Sequence, residues 1–154
     1  HVQTTPLGGS HQQLIDQVTA FTRGKAAAGR PIDTRLSLQR GMFLVANDRE
    51  RRHIAERAWT YYKSFDNVFG GPGIVDTGII RPLPRAQSVE ELASNLLLCG
   101  KDEMIDRLSV YSDLGIDEVL TTSNFGQEEQ LTLDMMSRFA EEVMPHFRAR
   151  RKAA

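Results

Sequence analysis

The order of hydrophobic periods in this chain predicts an α/β fold in which strands run parallel and helices make the crossings. Residues 95–150 read as a helix, a short buried strand and a long closing helix in tight succession. Residues 35–45 (RLSLQRGMFLV) read as a strand whose first half alternates and whose second half is buried on both faces, the pattern of an interior strand in a parallel sheet. Amphipathic helices with recognisable caps stand on both sides of that strand. Only these two strands are convincing in the sequence, too few to close a barrel or to form a sheet covered on both faces. The chain therefore reads as the tail of a larger βα protein.

Taken in order, residues 1–9 look irregular, punctuated by Thr4-Thr5-Pro6 and Gly8-Gly9. Ser10 suits the N-cap of a helix running to about Ala28 and closed by Gly29 and Pro31, with Leu14, Ile15, Val18 and Phe21 on its apolar face. Within the first strand, Gly41 marks a bulge or a close approach. Asn47 or Asp48 caps a second helix through about Ser64, whose buried face is Ile54, Ala55, Ala58, Trp59 and Tyr62. Residues 65–87 hold four glycines and three prolines without a sustained period, so they read as one long loop. Loops of that length inside compact domains commonly serve as lids, and the apolar residues within it (Val68, Phe69, Ile74, Val75, Ile79, Ile80) speak against plain disorder. Ser88-Val89-Glu90-Glu91 is a capping box that starts a short helix over residues 89–97, after which Leu98-Cys99-Gly100 reads as a tight connection. The next helix turns Met104, Ile105, Leu108 and Tyr111 inward and stops at Gly115, and Glu118–Thr122 is the second strand. Residues 127–150 form the closing helix, with Met135, Met136, Phe139, Ala140, Val143, Met144 and Phe147 in one stripe. Pro145 predicts a kink or an end near Val143 and Met144.

The totals narrow the function classes. The 154 residues make one domain's worth of material, with 40 % hydrophobic and 25 % charged residues, ordinary for a globular protein. A net charge of −1 gives no long-range field for nucleic acid or an anionic membrane. The basic run Arg148, Arg150, Arg151 and Lys152 reads as favourable charge at the end of the last helix. The single cysteine, Cys99, excludes an internal disulfide and fits a reducing, cytoplasmic compartment. No apolar run approaches the roughly 20 residues that cross a bilayer.

Several short motifs then fall in a fixed order. Cys99-Gly100-Lys101-Asp102-Glu103 is a glycine turn opening an acidic helix start, and Gly115-Ile116-Asp117 leads into the second strand. Phe139-Ala140-Glu141-Glu142-Val143-Met144-Pro145 lies in the closing helix. In order and spacing these resemble the carboxyl-terminal end of the bacterial luciferase-like flavin-dependent monooxygenases, over about a third of the chain. The resemblance implies a TIM-type (β/α)8 barrel, with residues 35–45 as its seventh strand, Glu118–Thr122 as its eighth and residues 65–87 as the active-site lid. It also implies reduced FMN with dioxygen, or the deazaflavin F420, acting on a small organic substrate. The chain would then pair with the rest of the barrel or with further copies of itself, inactive alone because its catalytic residues lie upstream of His1; the alternative is a non-catalytic structural or dimerising module.

In such a barrel the working face lies at the carboxyl ends of the strands. That points to Ala46, Asn47 and Asp48 after the first strand. After the second it points to Thr121, Thr122, Ser123 and Asn124, whose hydroxyls and amide suit a flavin phosphate or ribityl chain, or else end the strand and cap the next helix. Gly70, Gly71 and Gly73 supply the freedom of a lid, and Arg81 and Arg85 are its candidate anion contacts on closure. His11, His53 and His146 lack metal-ligand spacing, and no metal is expected. Cys99 reads as a buried structural thiol, and Trp59 and the Met135-Met136 pair read as core.

Overall fold

A computed structural model describes residues 1–29, 33–70, 74–80 and 86–153. The elements follow as β1 (Val2–Thr4), α1 (His11–Ala27), β2 (Leu36–Leu44), α2 (Asp48–Gly70), β3 (Val75–Asp76), β4 (Ile79–Ile80), α3 (Val89–Asn95), β5 (Leu97–Cys99), α4 (Lys101–Asp113), β6 (Glu118–Thr122), α5 (Glu129–Glu142) and α6 (Met144–Ala153). The α/β class and the parallel pairing match the sequence reading.

β2 is the hub, and its three partners are all parallel. β1 pairs with Leu36 to Leu38, β6 with Ser37 to Gly41, and β5 with Met42 to Leu44. Because Ser37 and Leu38 pair with both β1 and β6, those two strands flank β2 on opposite edges. The predicted burial of β2 holds: Leu36 and Leu38 alternate with half-buried Ser37 and Gln39, and Gly41 to Val45 are buried without a break. Gly41 is a close approach, since a Cβ there would stand 2.7 Å from the Tyr62 hydroxyl and 3.0 Å from Leu96.

The caps form as their sequences dictate. Ser10 accepts from the Gln13 amide and Ser88 from the Glu91 amide, while Asn47 Oδ1 accepts from the Glu50 amide at 3.0 Å. Gly29 and Gly115 take the left-handed conformation after α1 and α4, at φ 66° and 80°. The core joins Leu14 and Val18 of α1, Ile54, Ala58 and Tyr62 of α2, Leu96 to Cys99, and Met104 and Tyr111 of α4 around β2.

Five expectations need correction. β1 and β5 are strands, where the sequence suggested irregular chain and a tight connection. Each is only three residues long, below the length at which alternation can be seen, and forms because β2 offers it a ladder. The loop drawn over residues 65–87 begins too early: α2 runs on through Phe65 to Gly70, and an antiparallel β3–β4 hairpin turns at Thr77 and Gly78. Phe65 packs on Tyr61 with ring centroids 5.0 Å apart, an aromatic contact that carries the helix past Ser64. β6 is not buried. It bonds only to β2 among the described residues, and Glu118, Leu120 and Thr121 are exposed. Met136 is 57 % exposed and Ala140 is exposed too, so the closing stripe narrows to Met135 and Val143, with Phe139, Met144 and Phe147 half-buried. The closing helix itself is broken in two at Val143 (φ −108°, ψ −49°), two residues before Pro145, as the proline predicts. After that break Phe147 still packs against the core.

Candidate functional site

Side chains alternate along each strand, so the register sorts the sheet into two faces. Thr4 faces α1, where its hydroxyl donates to Gln17 Oε1 at 2.7 Å. By register, Val2, Leu36, Leu38, Arg40, Val119 and Thr121 share that helix-covered face. The other face carries Gln3, Ser37, Gln39, Gly41, Glu118, Leu120 and Thr122; it is open at Gln3, Glu118 and Leu120, the last 38 % exposed, and closed at Gly41 by Tyr62.

A hydrogen-bonded polar row crosses the open face. Gln3 Nε2 donates to Gln39 Oε1 at 3.0 Å, and Gln39 Nε2 donates to the Thr122 hydroxyl at 3.2 Å. One step toward the strand starts, the Ser37 hydroxyl donates to Glu118 at 2.9 Å. The row runs from the middle of β1 through the middle of β2 to the carboxyl end of β6. A primary amide has two N–H donors and a hydroxyl both donates and accepts. Gln39 and Thr122 thus each keep a donor free among the described residues.

Of the strand-end residues singled out in the sequence, only Thr122 joins this row. Thr121 lies on the opposite face, in a cleft with Met42 and Val119. Ser123 and Asn124 stand in the turn that follows. Gln127 Nε2 donates to the Ser123 carbonyl at 2.6 Å and Asn124 Oδ1 accepts from the Gly126 amide at 2.9 Å. Gln127, itself buried, also accepts from the Phe125 amide, which seats Phe125 among Tyr61 and Tyr62. Asn47 and Glu50 belong to the start of α2, and Arg138 of α5 reaches the Leu44 carbonyl at 2.8 Å and Glu50 at 3.6 Å. Gly70 ends α2, whereas Gly71, Gly73, Arg81 and Arg85 lie outside the described residues. His53 accepts from Arg57 Nε at 3.1 Å on the surface, and His11 and His146 are also exposed. Among the described residues no group of three or more His, Cys, Asp or Glu stands together as metal ligands. Burial, with Glu103 adding to it, pushes the Cys99 thiol up to about 11, as befits a structural thiol.

On the covered face one residue breaks the apolar run. Arg40 is 2 % exposed, and its guanidinium donates to the carbonyls of Leu7 and Gly9 at 3.1 Å each and to that of Asn95. The carbonyl between them, that of Gly8, accepts from Gln87 and Asn95. Three successive carbonyls of the β1–α1 loop are therefore held by side chains from elsewhere, which sustains the left-handed φ of 51° at Leu7. Gln39 and Arg40 both went unnoticed in the sequence. Their signal was present: the alternation of Leu36 and Leu38 puts Arg40 on the buried side and Gln39 on the open one.

No protein-family profile and no curated protein matches the chain. Among solved structures, the fold is similar to that of an F420-dependent secondary alcohol dehydrogenase in complex with an F420-acetone adduct, with a TM-score of 0.56 and 16 % sequence identity. That likeness covers 93 % of this chain and 42 % of the other, so the chain spans less than half the length of the protein it resembles in fold.

Proposed function

We propose that the chain is the carboxyl-terminal part of a luciferase-like oxidoreductase that uses F420 to oxidise or reduce a small organic substrate of the alcohol and carbonyl class. The carrying observation is the likeness in fold to an F420-dependent alcohol dehydrogenase over 93 % of the chain. It favours F420 over the FMN and dioxygen chemistry of the monooxygenases, which stands as the second reading on the motifs of residues 99–145. In either reading the sheet is the last part of a TIM-type barrel and its open polar face looks into the barrel.

The residues present fit such a cofactor as binding groups. Gln3, Gln39 and Thr122 form an uncharged row with spare donors, running from mid-sheet to the carboxyl end of β6 and suited to carbonyl, hydroxyl and phosphate oxygens. When bound, F420 supplies a ring that accepts or returns a hydride, and the protein's part is binding, orientation and the exclusion of water. Gln39 would hold the polar edge of the ligand, and Thr122, fixed by Gln39, would present its hydroxyl proton beside it. No member of the row has an acid–base side chain, so the proton of an alcohol must be taken by a group elsewhere in the whole enzyme. Residues 65–87 are proposed as the cover of that site.

A part of a site binds weakly. Titration of the isolated chain with F420 and with FMN is expected to give dissociation constants above about 10 µM, weaker than about 7 kcal/mol, with F420 the tighter of the two. The side-chain amide resonances of Gln3 and Gln39 should shift with F420. Tight, saturable FMN binding, or F420 binding that leaves both amides unmoved, would overturn the proposal.

A further inference from the structure

We propose that the cleft around Arg40, on the helix-covered side of the sheet, binds the oxyanion end of a small phosphorylated or carboxylated molecule. The cleft has a volume of about 400 Å³ and is lined by Arg40, Arg51, Arg107, Glu103, Asn95 and Tyr111, among others. That is far more room than a bare ion fills, and enough for a small metabolite. Three guanidinium groups face a single carboxylate there. Glu103 spans the two outer ones, at 3.8 Å from Arg51 and 3.5 Å from Arg107.

The second observation is an unsatisfied donor. Arg40 is buried, both its terminal nitrogens are engaged by backbone carbonyls, and its Nε is without a hydrogen-bond partner among the described residues. Carbonyl oxygens do not neutralise a guanidinium, and a buried N–H left unpaired costs about 1–3 kcal/mol. An oxyanion held in the cleft by Arg107 and Arg51 would supply the negative charge that the buried Arg40 guanidinium lacks. Burial also lowers the pKa of Arg40 from its ordinary value, the direction expected of a cation lacking its counter-ion. Glu103 then acts as a competitor for the two outer arginines, which an arriving anion displaces. The site lies across the sheet from the Gln39 row and does not rest on the cofactor reading.

The test is calorimetric titration of the whole chain with inorganic phosphate and, separately, with succinate, at constant ionic strength in chloride. Saturable binding of either supports the site, and the stronger of the two tells whether phosphate or carboxylate is its anion. Arg107→Gln, a change at a partly exposed position, should weaken binding roughly tenfold, as expected for one charge-assisted pair. Glu103→Gln should strengthen it several-fold by removing the competitor, an outcome that mere loss of structure cannot produce. Absence of saturable binding by both anions, or binding indifferent to both substitutions, would overturn the proposal.

Discussion

At the scale of single residues, Gly41 shows how tightly β2 is enclosed. A methyl group there would meet the Tyr62 hydroxyl at 2.7 Å, so Gly41→Ala is expected to cost about 1–3 kcal/mol in a urea titration. Tyr62→Phe removes the oxygen that the methyl would strike. The pair should therefore be non-additive, the double variant recovering part of the loss, and strict additivity would refute the close approach. Cys99 gives a prediction in pH. Its thiol ionises at about 11 when folded against an ordinary value of 9.0, so between those values the unfolded chain holds fewer protons. Stability should fall as pH rises through that window, by up to about 1.4 kcal/mol per unit, and Cys99→Ala should flatten the curve by that amount. Both features were partly visible in the sequence: a glycine inside a strand already signals close approach. What it meets was not visible, because Tyr62 belongs to a different element.

At the scale of elements, legibility followed length and capping. α1, α2 and α3 start at or within a residue of the positions their caps specify, because a side-chain cap is a local bond between near neighbours in the chain. Ser88→Ala should accordingly cost about 1 kcal/mol and selectively loosen amide exchange in α3, the shortest helix with such a cap. Strands depend on partners far away in sequence. The alternation of β2 is nine residues long and could be read, whereas β1 and β5 have three residues each and no pattern of their own. The extension of α2 past Ser64 did carry a local signal, since Tyr61 and Phe65 are an i,i+4 aromatic pair on one helix face, but the glycines and prolines that follow drew the boundary too early. Pro145 was the opposite case. A missing N–H and a ring clash act within one turn, and the break at Val143 could be read directly from the residue type.

At the scale of the whole molecule, one face of the sheet lies under helices and the other is exposed at Gln3, Glu118 and Leu120 but closed at Gly41 by Tyr62, with β6 bonded only to β2 among the described residues. A partly exposed parallel sheet with such an edge invites association. Size-exclusion at increasing concentration is expected to show self-association, and β6 amides should exchange earlier than those of β2. A monomer protected throughout would instead mark a self-sufficient domain. The polar row could not have been found from motifs, since Gln3, Gln39 and Thr122 share no local signature and are joined only by register across β1, β2 and β6. The strand-end rule names a region and not a face, so of its four residues Thr122 stands in the row, Thr121 on the opposite face and Ser123 and Asn124 in the turn.

That register has a small anchor of its own. The Asp117 amide donates to the Leu36 carbonyl at 2.9 Å, and its carboxylate accepts from the Leu36 amide at 2.8 Å, so one residue grips both backbone groups of another 81 positions away. Bringing two points that distant together costs about 4 kcal/mol of chain entropy beyond a constant term. No ladder bond of β6 can repay this until the ends have met. The clasp therefore bears on time as well as on geometry: refolding should be limited by this one encounter. Until it closes, the carboxyl-terminal third of the chain waits as preformed helices beside an unfinished sheet.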